Sequence, residues 1–163
     1  MMKRFLKRLL LFLVCLAVIL GGIGAYIGNM AYEEFYDAPW DQLLGIENHS
    51  RDVSTVRQWE KERGWEPVRV NGQDGTILRG TYIENRHDSH KTVILIHGLY
   101  QNRSMCLPYV EVYRRLGYNI LLIDLRGHGE SEGAHTEWGI REIDDLAMWC
   151  QWLRNRDEQM SIG

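Results

Sequence analysis

The stretch Thr92-Val-Ile-Leu-Ile-His97-Gly98 is followed about two dozen residues later by Asn119-Ile-Leu-Leu-Ile-Asp124-Leu-Arg126-Gly127-His128-Gly129-Glu-Ser131. Each segment opens with an unbroken apolar run rich in β-branched residues and ends in a polar, glycine-containing turn. Such runs are what strands covered on both faces require, so the two read as neighbouring buried strands of a parallel sheet. In sheets of this kind the chemistry collects at the carboxyl ends of the strands. The two turns therefore decide both the fold and where to look for a site.

The neighbouring segments fit around those strands. Glu66–Asn71 and Thr76–Glu84 flank Gly72-Gln-Asp74-Gly75, an Asp-Gly turn between two strand-like runs, which predicts a hairpin. Residues 52–63 have helical composition and stop at Gly64, and residues 103–116 have a helical pattern that stops at Gly117. Arg86 to His90 reads as a polar loop. Trp138 to Arg154 is predicted to be an amphipathic helix, with Ile140, Ile143, Ala147, Cys150 and Leu153 as its apolar stripe. Arg141, Glu142, Asp144, Asp145, Gln151 and Arg154 take its other faces. Met160-Ser-Ile-Gly163 looks like the opening of another strand. A hairpin followed by strand–helix–strand–helix–strand predicts an α/β fold, antiparallel at first and then mostly parallel, with helices on its flanks.

The amino terminus is different in kind. Leu9 to Ile27 carries no charge, and as a helix it reaches roughly 28 Å, about the thickness of a bilayer's hydrocarbon. Lys3, Arg4, Lys7 and Arg8 precede it and Glu33-Glu34 follow it. The apolar core is longer than a cleaved signal peptide needs, and Gly22-Ile-Gly24 lies inside it rather than beyond it. This favours an uncleaved anchor, with a secreted form as the alternative. The basic cluster places the amino terminus on the cytoplasmic side and the rest outside. The organisation expected is a basic tip and anchor over residues 1–30, a tether with short helices over 31–65, and a folded domain over 66–163.

Composition excludes little else. The chain is 45% apolar and 25% charged, with a formal net charge of −3. All four basic residues near the start precede every acidic one, so the remainder is more acidic still. A nucleic-acid binder would show a basic face, and none is present. Cys15, Cys106 and Cys150 lack metal-ligand spacing and read as buried structural thiols, with a Cys106–Cys150 disulfide as the alternative. Neither a metal nor an organic cofactor is implied.

His97-Gly98 after the first strand, the Asp124–Ser131 turn after the second, and the helix ending Trp149-Cys-Gln-Trp152-Leu153 resemble the α/β-hydrolase superfamily. The resemblance covers residues 66–163, the first half of that fold, and is nearest to its membrane-anchored serine aminopeptidase-like and dienelactone-hydrolase-like members. It implies acyl transfer to water by a Ser–His–Asp mechanism on a small-molecule or peptide ester, amide or thioester. It makes the Leu99 backbone N–H the oxyanion-hole donor, with Tyr100 as second choice. It places the catalytic histidine late in the chain, so His97 holds its loop by hydrogen bonding. Asp124 is expected to accept backbone N–H bonds, Arg126 to pair with a carboxylate, and Gly127 and Gly129 to take positive φ.

Gly129-Glu-Ser131-Glu-Gly133 matches the Gly-x-Ser-x-Gly pattern of a nucleophile. A nucleophile elbow needs a strand running directly into the first glycine and a helix starting at once after the serine. Here Asp124 to His128 intervene, and two carboxylates flank the serine where negative charge would develop. Ser131 is accordingly read as a turn residue, and the nucleophile, acid and base are expected outside residues 1–163. The alternatives are a catalytically inactive fragment or remnant and a membrane-tethered interaction module. The last would leave an unpaired sheet edge and an exposed apolar face.

Overall fold

A computed structural model describes residues 2–85 and 89–163; the expected polar loop at Arg86–His90 falls partly outside them. The chain forms two compact units, residues 1–38 and 39–163. The first is one helix, α1 (Met2–Asp37), long and apolar enough from Arg4 to Phe35 to cross a membrane. It continues through residues 31–37, where a tether was expected. Those residues are compatible with helix, Asn29 donates to Glu33 one turn on, and the stop comes only near Pro39.

The second unit begins with a short helix α2 (Trp40–Leu44) and then α3 (Ser54–Arg63), which Gly64 ends in a left-handed conformation. The hairpin follows as β1 (Glu66–Asn71) and β2 (Ile77–Ile83), paired antiparallel from Glu66↔Tyr82 to Asn71↔Ile77. Then come β3 (Lys91–Ile96), a 3₁₀ turn at Arg103–Cys106 running into α4 (Leu107–Arg115), and β4 (Asn119–Ile123). Helix α5 (Glu142–Arg156) and the short β5 (Ser161–Ile162) complete the unit. The strand order is β1-β2-β4-β3-β5.

β3 runs parallel to β4, with Ile96 opposite Ile123, and parallel to β5 on its other side. β2 pairs with β4 antiparallel. Over the described strands the hairpin thus leads into a parallel β4-β3-β5 portion, as expected, and the sheet is mixed because β2 runs opposite to the other strands.

All five residues of β4 are buried, which explains why its sequence does not alternate. Ile120 and Leu122 join Val56, Val93, Cys106 and Val110 under α3 and α4, while Leu121 and Ile123 meet Leu78, Trp149 and Leu153 under α5. Each face of the sheet thus has its own core.

Helix α5 starts later than expected and turns a different face inward. Trp138 and Gly139 both have positive φ, and the Glu142 carboxylate accepts from the Glu137 N–H, the Gly139 N–H and the Thr136 hydroxyl. That capping fixes the start at Glu142. Trp149 and Leu153 face the core with the charged Asp145, whereas Ile140 and Ile143 are 64% and 71% exposed. Of the expected stripe Leu153 is buried and Cys150 half-buried, while Asp145, assigned to the outer face, is drawn inward by Arg126.

The three cysteines are free thiols. Cys106 is buried, and burial pushes its pKa up to about 11, which makes it an inert packing group.

Candidate active site at the carboxyl rim of the sheet

Because β3 and β4 are parallel and in register, His97-Gly98-Leu99-Tyr100 and the Asp124–Ser131 turn leave the sheet at the same rim. Two histidines join them. Nε2 of His97 accepts from the Leu125 N–H at 3.0 Å, and its Nδ1 lies 2.8 Å from the Gly98 carbonyl oxygen. Nε2 of His128 accepts from the Tyr100 N–H at 3.3 Å, and its Nδ1 lies 3.0 Å from the Arg126 carbonyl oxygen. A backbone N–H can only donate and a carbonyl can only accept, so both imidazoles are neutral with the proton on Nδ1. Burial lowers the pKa of His97, and this outweighs the bond to Gly98, which favours the protonated form.

Neither nitrogen of His97 is free to act as a base, which agrees with the loop-holding role expected of it. The same bonds set the loop's shape. Tyr100 sits at φ 57°, a left-handed conformation that costs a non-glycine residue roughly 1–2 kcal/mol. Its carbonyl accepts from the His49 N–H, the Gly98 N–H donates to the Gln101 side chain, and the Tyr100 N–H is taken by His128. The Leu99 N–H has no hydrogen-bond partner among the described residues. Of the two candidate oxyanion donors, Leu99 is therefore the available one and Tyr100 is already engaged.

The Asp124 carboxylate is fully occupied. Oδ1 accepts from the Arg103 N–H at 2.8 Å, and Oδ2 accepts from the Glu130 N–H at 3.0 Å and from the Arg103 guanidinium. Arg103 is itself buried, and it also reaches Thr81, Glu60 and Glu130. Arg57 bridges Glu60 and Glu130 from outside. Burial would raise the Glu130 carboxyl, but the bonds from Arg103 and Arg57 outweigh it and hold its pKa below the ordinary range. A buried charge survives only when paired in this way.

Arg126 pairs with a carboxylate as expected. It holds Asp145 through two bonds of 2.8 Å and reaches Asp74 at 3.1 Å, fastening α5 and the hairpin turn to the rim. Gly127 and Gly129 both have positive φ. At Gly129 an added Cβ would fall inside the Asp124 carboxylate, so only glycine fits.

Ser131 is buried. Its hydroxyl donates to the Asp124 carbonyl at 2.7 Å and accepts from the Arg79 N–H at 2.9 Å. The serine ties the turn to β2.

An apolar cleft of about 280 Å³ opens beside the rim between Ile96, Leu125, Ile143 and Leu146. A larger cavity of about 520 Å³, lined by Arg63, Glu66, Glu84 and Arg114, lies at the opposite end of the sheet and contains no expected site residue. Among the described residues no cluster of three or more His, Cys, Asp or Glu side chains could hold a metal ion.

This arrangement has known counterparts. Residues 91–157 match the model of the family described as the alpha/beta hydrolase fold. The domain superposes on the esterase Pf2001 of Pyrococcus furiosus with a TM-score of 0.57 and 34% identity, covering 64% of this chain and 42% of the esterase. The region from β1 to β5 has the fold of a partial α/β-hydrolase core. In sequence it is 39% identical over 88 residues to the uncharacterized protein YqkD of Bacillus subtilis, covering 54% of this chain. It is 30% identical over 77 residues to the lysophosphatidylserine lipase ABHD12 of Danio rerio, covering 46% of this chain. The matched segments span 28% and 20% of those two proteins, so the chain covers less than a third of either.

Within this hydrolase core the structure brings together His97, Gly98, Leu99, Tyr100, Asp124, Arg126, Gly127 and Gly129 at one rim. Sequence reasoning missed Glu60, Arg103 and Asp145, the buried charges that hold the rim in place. His128 stood inside the glycine turn but carried no sign of its bond to Tyr100.

Proposed function

We propose that this protein is a membrane-anchored serine hydrolase that transfers an acyl group from an ester, amide or thioester to water. The observation that carries this reading is the Leu99 N–H after β3, which has no hydrogen-bond partner among the described residues. Such a donor, fixed before reaction and aimed at a developing oxyanion, is worth about 3–4 kcal/mol of transition-state stabilisation. The engaged hydroxyl of Ser131 and carboxylate of Asp124 support a nucleophile and acid drawn from elsewhere than residues 1–163. β5 lies beside β3 and runs the same way, so a strand extended from it would bring a nucleophile to the same rim as Leu99. The serine would attack the acyl carbon as a histidine takes its proton, and the tetrahedral oxyanion would be held by Leu99 and by the amide following the nucleophile. Helix α1 supports the anchor, and the basic residues before it support a cytoplasmic amino terminus with the hydrolase domain outside.

Fluorophosphonate labelling of residues 1–163, and of the reading frame continued past residue 163, tests this proposal. The expected result is no label on the first and one labelled serine beyond residue 163 in the second. In the active form Leu99→Pro, which deletes the amide proton, should lower kcat by about 10²–10³-fold. Label on Ser131, or no label on either polypeptide, would overturn the proposal.

A further inference from the structure

The folded domain exposes an apolar surface that its own core does not use. Trp40, Leu43 and Leu44 lie at i, i+3 and i+4 on α2 and so share a face. The ring of Trp138 meets that of Trp40 edge-on, with centroids 6.3 Å apart, and Ile140 and Ile143 follow it into the first turn of α5. Leu43, Leu44, Ile140 and Ile143 are each more than half exposed. Ile143 also lines the cleft that contains Ile96, the residue before His97, so the apolar surface runs up to the rim of the candidate site. An uncovered apolar surface of this extent on a folded domain marks something that binds to it.

We propose that this surface docks on the lipid bilayer, as a second membrane contact in addition to α1. The inference rests on the reading of α1 as a membrane anchor. Two observations favour lipid as the occupant. Only Ala38 and Pro39 separate α1 from α2, so an anchored chain holds the surface at high effective concentration near the bilayer, and even weak docking is populated. Tryptophan pairs flanked by aliphatic side chains suit the interface between headgroups and acyl chains. Docking by this face would bring the Leu99 rim to acyl groups held in the membrane.

The test exploits the absence of tryptophan from residues 1–38. All tryptophan emission therefore reports on residues 39–163. The full chain is placed in phosphatidylcholine vesicles with and without bromine on the acyl chains, which quenches only tryptophans that reach the hydrocarbon boundary. Retention on the vesicles through an alkaline carbonate wash reports the anchor separately. Docking predicts that brominated lipid quenches the emission, and that Trp40→Phe with Trp138→Phe removes the quenched component. Ile140→Ser with Ile143→Ser should reduce quenching at least threefold while retention stays unchanged. Chain that survives the wash but is not quenched would overturn docking and leave the anchor standing. Chain lost in the wash would overturn both. Emission indifferent to bromine but dependent on the protein-to-lipid ratio would identify a second copy as the occupant, and would also overturn the proposal.

Discussion

The rings of His97 and His128 lie 5.2 Å apart, and each accepts an amide proton from the loop that carries the other. The β3 and β4 loops are thus cross-clamped by two neutral imidazoles. The His97 clamp needs an unprotonated Nε2, so protonation of His97 removes the acceptor of the Leu125 N–H. This makes the shape of the rim sensitive to acid.

The sign of the effect at His97 follows from its environment. Burial lowers its pKa below the ordinary 6.5, and Arg103 and His128 act in the same direction while Asp124 opposes them. The unfolded chain then binds the proton more readily than the folded one. The contribution of His97 is present in full above about pH 6.5 and drains as pH falls below it, by at most about 1.4 kcal/mol per pH unit. His97→Gln keeps an acceptor for the Leu125 N–H but cannot titrate. Urea unfolding at pH 7.5 and 5.5 should therefore show a larger loss for the wild type than for this variant.

Ser131→Ala should cost stability and nothing else. The substitution leaves the Arg79 N–H and the Asp124 carbonyl without their hydroxyl partner, at about 1–3 kcal/mol. Denaturation followed by tryptophan fluorescence gives the loss, and reactivity toward fluorophosphonate should be the same before and after the change.

Arg103→Met should be far more damaging than its place in a short 3₁₀ turn suggests. It removes the guanidinium paired with the buried Asp124 carboxylate and leaves Glu60 with Arg57 alone, at a cost of about 3–5 kcal/mol. A thermal melt checks this.

The orientation of α5 can be read from two substitutions. Trp149→Ala removes a buried ring from the core under β4 and should cost about 3–5 kcal/mol. Ile143→Ser, at an exposed position, should stay within about 0.5 kcal/mol of wild type. Similar losses at both positions would restore the helix face expected from the sequence.

The fold was legible wherever a residue's neighbours along the chain decide its place. Two apolar runs, each ending in a glycine turn, specified β3, β4 and their shared rim, and Asp74-Gly75 specified the hairpin. The face of α5 was not legible, because Asp145 is turned inward by Arg126, nineteen positions earlier, and no helical periodicity records that pairing. Glu60 and Arg103 were hidden in the same way, since each resembles an ordinary solvated charge until the other is placed beside it. Spacing alone read Ser131 as a turn residue, and its partners Arg79 and Asp124 became visible only in three dimensions.

The strand order also bears on how the domain assembles. β1 with β2, and β3 with α4 and β4, are each continuous in sequence, so each can form from local contacts with little entropy lost to loop closure. They become one sheet only when β2 zips onto β4, joining residues some forty positions apart. That seam is the slow step to expect in refolding, and polar substitutions along β4 should delay it more than equal changes in β1.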